Sequence, residues 1–205
     1  MTGDHVVLDP MDPALHADGL YETFRHAPDS MWTYLPYGPF ERASMREQLG
    51  LWSGSTDPMF FVIVDVPTLH PLGWAAFLRI DPDNGTIEVG HISYSPVLAR
   101  TTAATETMWL MMRRVFEELG YRRYEWKCDA LNARSRAAAE RLGFTFEGVF
   151  RNAVVYRGRN RDTAWYSMTD KEWPAADEAL RAWLAPGNHV GAVQARSLKE
   201  IRSNL

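Results

Sequence analysis

Cysteine is almost missing: Cys128 is the single one in 205 residues. An internal disulfide framework is excluded, and no spaced cysteines remain for a structural zinc site. Nor does any run approach the roughly 18 to 20 apolar residues that cross a bilayer. The opening M-T-G-D-H carries no basic segment followed by an apolar stretch, so the expectation is a cytoplasmic protein with no membrane partner. Positive charge is in deficit too, with 22 Lys and Arg against 26 Asp and Glu for a net charge of -4. No global basic field draws in nucleic acid. Internal repeats and low-complexity segments are lacking as well. Apolar and aromatic side chains are what the chain does have: 46% of residues are hydrophobic, with 8 Trp, 8 Tyr and 9 Phe to fill a large core. The length suits one domain better than two.

In chain order, residues 5–11 read as a short strand and residues 14–26, after Pro13, as a helix offering Leu15, Leu20 and Phe24 to a core. Residues 29–40, D-S-M-W-T-Y-L-P-Y-G-P-F, hold two prolines, a glycine and four aromatics, which disfavours a regular element. Rings concentrated in a loop either close the core or line a pocket, and Trp32, Tyr34, Tyr37 and Phe40 leave both open. Residues 41–52 return to helical character. Three apolar runs of strand length follow at 59–66, 72–80 and 87–94, separated by turn residues as in an antiparallel meander. Residues 123–129 read as a strand, 132–142 as a helix, 144–151 and 162–170 as strands and 175–184 as a helix. Residues 186–205 form a polar tail with weak helical character and no clear docking face. The domain is expected to span residues 1–185. Strands followed by a strand-helix-strand-helix-strand passage imply an α+β domain with a mixed sheet of six to seven strands flanked by helices.

The central stretch is residues 95–120, S-P-V-L-A-R-T-T-A-A-T-E-T-M-W-L-M-M-R-R-V-F-E-E-L-G. It follows a strand and becomes a helix whose first turn holds Thr101, Thr102, Ala103 and Ala104, small enough for a ligand to approach the backbone. The first N–H groups of a helix lack intrahelical partners and lie at the positive end of its dipole, which suits a phosphate or pyrophosphate. Met108, Met111, Val115 and Leu119 make one apolar stripe, and Gly120 is placed to stop the helix. A polar start to an ordinary core helix explains the same residues. Asn132 is placed to cap its helix. Cys128, with no paired His in view, is a core strand cysteine before it is a nucleophile.

The order of elements, together with I-E-V-G-H-I at 87–92, A-A-T-E at 103–106, N-A-R-S at 132–135 and R-L-G-F at 141–144, resembles the GNAT superfamily of acyl-CoA N-acyltransferases, in its RimJ/RimL-like branch. The resemblance covers about residues 5–173. The family's coenzyme motif aligns with residues 99–104, but Ala99 stands where a Gln or Arg is usual and Thr102 where a glycine is usual. The resemblance implies that amides from Thr101 to Ala104 cradle the coenzyme diphosphate with Arg100 on the rim, and that Asn132 meets the pantetheine arm. It also implies Glu88 as the base that takes a proton from an amine; strand alternation puts His91 on the opposite face, as a structural histidine or a reserve base. Other branches place a tyrosine acid where Ala139 stands, so the resemblance implies either Ser135 as the acid for the departing thiolate or a thiolate that leaves unprotonated. The loop carrying Trp32, Tyr34 and Tyr37 would close over the acceptor. The implied reaction is direct acetyl transfer from acetyl-CoA to a primary amine, on a small molecule or a protein N-terminus, with no metal and with a homodimer left open. Succinyl-CoA as donor, or a non-catalytic acyl-CoA-binding module, are the alternatives. For Glu88, a structural pair with Arg79 or Lys127 is the competing explanation. Arg134, Arg136 and Arg141 suit either the coenzyme's 3′-phosphate or a solvated helix face. Arg151, Arg157, Arg159 and Arg161 suit an acidic acceptor, an acidic acyl group or plain surface charge.

Overall fold

The computed structural model describes residues 1–191 and 193–205, leaving Ala192 of the polar tail outside. Contacts gather into two compact units, residues 1–80 with 88–107, and residues 81–87 with 108–205.

The first unit opens with β1 (Val6–Pro10) and α1 (Pro13–Phe24). Asp12 caps α1 by accepting the Ala14 N–H at 2.7 Å, and Pro13 occupies the first turn, where its missing N–H costs nothing. The buried stripe is His16, Ala17, Leu20 and Phe24, so the expectation for Leu15 is corrected: it is 75% exposed. After a 3-10 turn at Asp29–Trp32 comes α2 (Arg42–Ser53), whose first turn is closed by a reciprocal Glu41/Ser44 capping box. Asp18 bridges the two helices, accepting from Arg42 and Arg46 at 2.8 Å each. Strands β2 (Met59–Asp65), β3 (Pro71–Asp81) and β4 (Thr86–Tyr94) follow, and the order β1-β2-β3-β4 is that of a meander. Pairing of β1 with β2 and of β2 with β3 is antiparallel, with Val62 opposite Trp74. One core packs α1, α2 and the aromatic loop on this sheet through Leu20, Phe24, Trp32, Met45, Leu49, Phe60 and Trp74. Gly38 makes that packing possible: its φ is +75°, and a Cβ there would sit 2.2 Å from the Trp32 ring.

Helix α3 (Thr102–Arg113) runs into a π turn at Arg114–Glu118 before Gly120. Met108, Met111 and Val115 are buried as expected, but Leu119 is 41% exposed. The extra residue of the π turn, marked by the Leu119 N–H donating to Arg114 O at 3.0 Å, rotates the end of the stripe out of the core.

In the second unit β5 (Arg123–Asp129) pairs antiparallel with β7 (Arg159–Thr169), which pairs antiparallel with β6 (Thr145–Tyr156). Helix α4 (Ala133–Leu142) begins at the Asn132 cap, and α5 (Trp173–Leu184) buries Trp173, Leu180 and Trp183. Tyr124, Trp126 and Cys128 alternate inward on β5, while Arg123, Glu125 and Lys127 take the other face. The end of the chain is not a loose tail. Short strands β8 (His189–Val190) and β9 (Val193–Gln194) pair, and α6 (Leu198–Arg202) buries Leu198 and Ile201. Arg202 ties α6 to the end of α4 by donating to Glu140 O at 3.1 Å. Among the described residues, the main sheet has seven strands, within the expected six to seven, besides the β8–β9 hairpin. Among the described residues no helix is long and apolar enough to cross a membrane.

Candidate active site

The first turn of α3 is where the anion site was expected. Thr101 is the residue before the helix, and its hydroxyl donates to Leu98 O at 2.6 Å while accepting the Ala104 N–H at 3.1 Å. Its own N–H donates to Leu98 O at 3.2 Å. Two of the four amides, Thr101 and Ala104, are therefore already engaged, which corrects the expectation of a four-amide cradle. The Thr102 and Ala103 N–H groups have no partner among the described residues. These two point out of the positive end of the helix and fit an anion such as a diphosphate. Arg100 is exposed beside them with φ at +67°, a conformation rare for a side chain of its size. Tyr94, at the end of β4, braces the same turn by donating to Ala104 O at 3.3 Å, and burial pushes its phenol well up.

Glu88 in β4 is 5% exposed, so it is not an outward surface residue. Its Oε2 lies 3.4 Å from Arg79 Nε, and of the two partners considered it is Arg79 that pairs; Lys127 instead meets Glu125 at 2.6 Å. A Cβ placed on Gly90 would lie 2.8 Å from Leu78 and 3.8 Å from Glu88 Oε1, so positions 88 and 90 share the face of Leu78. By alternation along β3 this is the face of Trp74 and Ala76, under α1 and α2. His91 was expected on the opposite face. Its φ of +52° breaks the alternation, and its ring meets Tyr37, Trp52 and Phe60 in the same aromatic cluster. The correction makes His91 a neighbour of Glu88 on one face. Burial lowers the His91 pKa, which keeps the ring neutral and able to accept a proton.

The aromatic loop divides. Trp32 is 1% exposed and packs edge-on against Phe40 with Phe24 and Trp74 alongside, so it belongs to the core and is corrected from its expected role in acceptor binding. Tyr37 stacks on His91 with centroids 5.7 Å apart, and its hydroxyl accepts from Trp74 Nε1 at 3.3 Å and lies 3.3 Å from His91 Nδ1. Burial pushes its pKa up to about 12, so it stays a neutral phenol. Tyr34 is half-buried in the same loop.

In the second unit the Asn132 carboxamide oxygen accepts the Ser135 N–H at 3.1 Å, the expected cap. Ser135 Oγ accepts the Trp126 indole N–H at 2.9 Å and hydrogen-bonds Cys128. Burial, more than any neighbour, pushes the Cys128 thiol up, which argues against a thiolate nucleophile. Arg136 is held by Tyr166 Oη at 3.1 Å and Arg141 lies over the Trp183 ring at 4.8 Å, while Arg134 is exposed.

Sequence reasoning missed two carboxylates. Glu106, 3% exposed in α3, accepts the N–H groups of Asp4, His5 and Val6 at 2.9, 2.7 and 2.9 Å. It was read as part of A-A-T-E, but its partners lie a hundred residues away. Asp129 ends β5 and accepts from Leu131 N, Tyr156 Oη and Arg159 Nη2, latching the β6–β7 hairpin to the turn that carries Asn132. The D-A-L-N turn, with an Asp three residues before the cap, was the available signal.

The profile of the acetyltransferase (GNAT) domain matches residues 5–145. The chain belongs to the GNAT acetyltransferase family. A GCN5-related N-acetyltransferase from Brucella melitensis is 45% identical, the match covering 98% of this chain and 93% of that one with a TM-score of 0.95. A structure described as a probable acetyltransferase of the GNAT family from Chromobacterium violaceum is 42% identical over 84% of this chain and 87% of its own, with a TM-score of 0.79. Both matches extend across the two units, so the expected single α+β GNAT fold holds. The Bacillus subtilis protein named "Putative ribosomal N-acetyltransferase YdaF" is 38% identical over 58 residues, 28% of this chain and 32% of that protein's length. That likeness accords with the RimJ/RimL-like branch of GNAT proteins.

Proposed function

We propose that this GNAT chain transfers an acetyl group from acetyl-CoA to a primary amine by direct attack, with donor and acceptor bound together. The observation that carries the reading is a buried carboxylate, Glu88, on the strand that leads into a helix whose Thr102 and Ala103 N–H groups lack partners. Those two amides hold the coenzyme diphosphate, with Arg100 at its rim adding charge where Ala99 supplies none. When bound, the coenzyme supplies an acetyl group activated as a thioester.

An alkyl amine arrives mostly as ammonium, with a pKa around 10, so a proton must leave before the nitrogen can attack. Glu88 takes that proton, directly or through a water, and its pairing with Arg79 keeps the carboxylate oriented. Neutral His91, turned onto the same face, is the reserve acceptor. Tyr37 orients His91 by stacking, and with Tyr34 lines the acceptor side. The sulfur leaves as a thiolate, tolerable for a thiol of pKa around 8.5, or takes a hydrogen bond from the Ser135 hydroxyl, whose oxygen accepts the Trp126 N–H. Asn132 fixes Ser135 through the cap and offers the rest of its carboxamide to the pantetheine arm. Cys128 takes no part. The acceptor is a small-molecule amine or a protein N-terminus, and succinyl-CoA is the variant donor.

A free-thiol release assay with acetyl-CoA and an amine panel tests this. Turnover is expected, and Glu88→Gln should lower it about 10²-fold or more with coenzyme binding intact. If acetyl-CoA raises the melting temperature while no amine yields thiol, the chain is a coenzyme-binding module and the enzyme reading fails.

A further inference from the structure

On β7, Arg161, Thr163 and Trp165 alternate, so all three side chains stand on one face of the strand. Each carries a buried polar atom that has no partner among the described residues: Arg161 Nε, Thr163 Oγ1 and Trp165 Nε1. Thr163 is itself only 5% exposed. All three groups can donate a hydrogen bond, and two can do nothing else. Buried donors left without acceptors are rare in folded proteins, and three in consecutive same-face positions suit oxygen acceptors, from water or from a ligand.

The surroundings define its charge. Opposite Trp165 on β5 is Lys127, whose ammonium lies 3.8 Å from the indole centroid and is balanced by Glu125 at 2.6 Å. Opposite Thr163 are Asp129 and Phe150. Asp129, the acidic residue opposite Thr163, is balanced by Arg159 at 3.1 Å. Phe150 stacks on Trp165 with centroids 4.4 Å apart, giving the row an apolar wall. Arg161 forms no ion pair among the described residues, and the ring of Tyr156 lies 6.0 Å from its guanidinium. The face therefore holds a cation without a counter-charge at one end and two neutral donors beside an aromatic wall.

We propose that Arg161, Thr163 and Trp165 form a carboxylate subsite, which takes the acidic group of a substrate. The carboxylate has two possible carriers, the amine acceptor and a dicarboxylic acyl group such as succinyl. The subsite's place in catalysis rests on the acyl-transfer reading above, whereas its affinity for a carboxylate does not.

Two measurements separate these. Calorimetric titration with matched ligands, an α-amino acid against its amide and succinyl-CoA against acetyl-CoA, reads the subsite without turnover. The carboxylated member of one pair should bind at least tenfold tighter, and that pair identifies the carrier. Arg161→Gln should erase at least tenfold of that ratio, and Thr163→Val should reduce it in the same direction if the arginine variant does not fold. In the thiol-release assay the same ratio should appear in KM more than in kcat. Equal binding within both pairs, or a preference untouched by both substitutions, overturns the subsite. Carboxylate preference in binding without any thiol release would leave the subsite standing and remove the acyl-transfer reading.

Discussion

Glu106→Gln probes how the first unit is held together. The carboxylate is buried and accepts three backbone N–H groups, Asp4 on Oε1, and His5 and Val6 on Oε2. A glutamine of the same shape loses the charge, and whichever way its amide turns it sets an NH2 against at least one N–H donor. Hydrogen bonds to a charged group contribute about 1.5–3 kcal/mol each, and leaving a buried donor unpaired costs a similar amount. Asp4 and His5 are near enough to solvent to recover part of this, so the expected loss is about 3–5 kcal/mol, at the upper end for a single substitution. With about 2–4 °C of melting temperature per kcal/mol for a chain of this size, Tm should fall by roughly 6–20 °C. Urea denaturation gives the free energy directly. Gly3→Ala should act on the same contact, because its Cβ would stand 2.5 Å from the Glu106 carboxyl carbon. A loss below about 1 kcal/mol for Glu106→Gln, the range of exposed ion pairs, would refute the anchoring role.

Burial depresses the His91 pKa from its ordinary 6.5, so the unfolded chain takes up that proton first. The stability this contributes is complete above about pH 6.5 and is lost as pH falls toward the folded-state value. Urea titrations between pH 7.5 and 5.5 should show stability falling with acid, with a shallower slope in His91→Asn; His16, lowered by burial in the same direction, supplies the remainder. An unchanged slope in the variant would contradict the assignment. Trp32→Ala should cost about 3–5 kcal/mol in the same denaturation experiment, as for a core aromatic. A loss under 1 kcal/mol would return Trp32 to the pocket wall.

Elements whose signal is local were readable. β5 stands at its expected residues because apolar and charged side chains alternate between turn signals, and α4 starts where an Asn side chain caps it. What escaped was set by geometry the sequence pattern does not carry. One positive φ at His91 reversed a face assignment made by alternation, and one π turn moved Leu119 out of a stripe. The weak helical character of the tail is α6, where S-L-K-E at 197–200 is a capping box, but its docking face, Leu198 and Ile201, escaped. In the candidate site, residue types pointed to Glu88 and Asn132, but not to the Thr101 hydroxyl consuming one of the amides meant for a ligand. The donors of β7 were visible only as scattered polar residues until the strand aligned them.

Thr102→Pro bears most directly on the central claim. Proline is favoured at the first position of a helix, so the substitution deletes one unpartnered N–H while leaving α3 intact. Acetyl-CoA titrated calorimetrically should bind the natural chain and bind Thr102→Pro about tenfold or more weakly, as for a lost bond to a charged group, with Tm nearly unchanged. No binding to the natural chain, or equal affinity in the two, would contradict diphosphate capture by the start of α3.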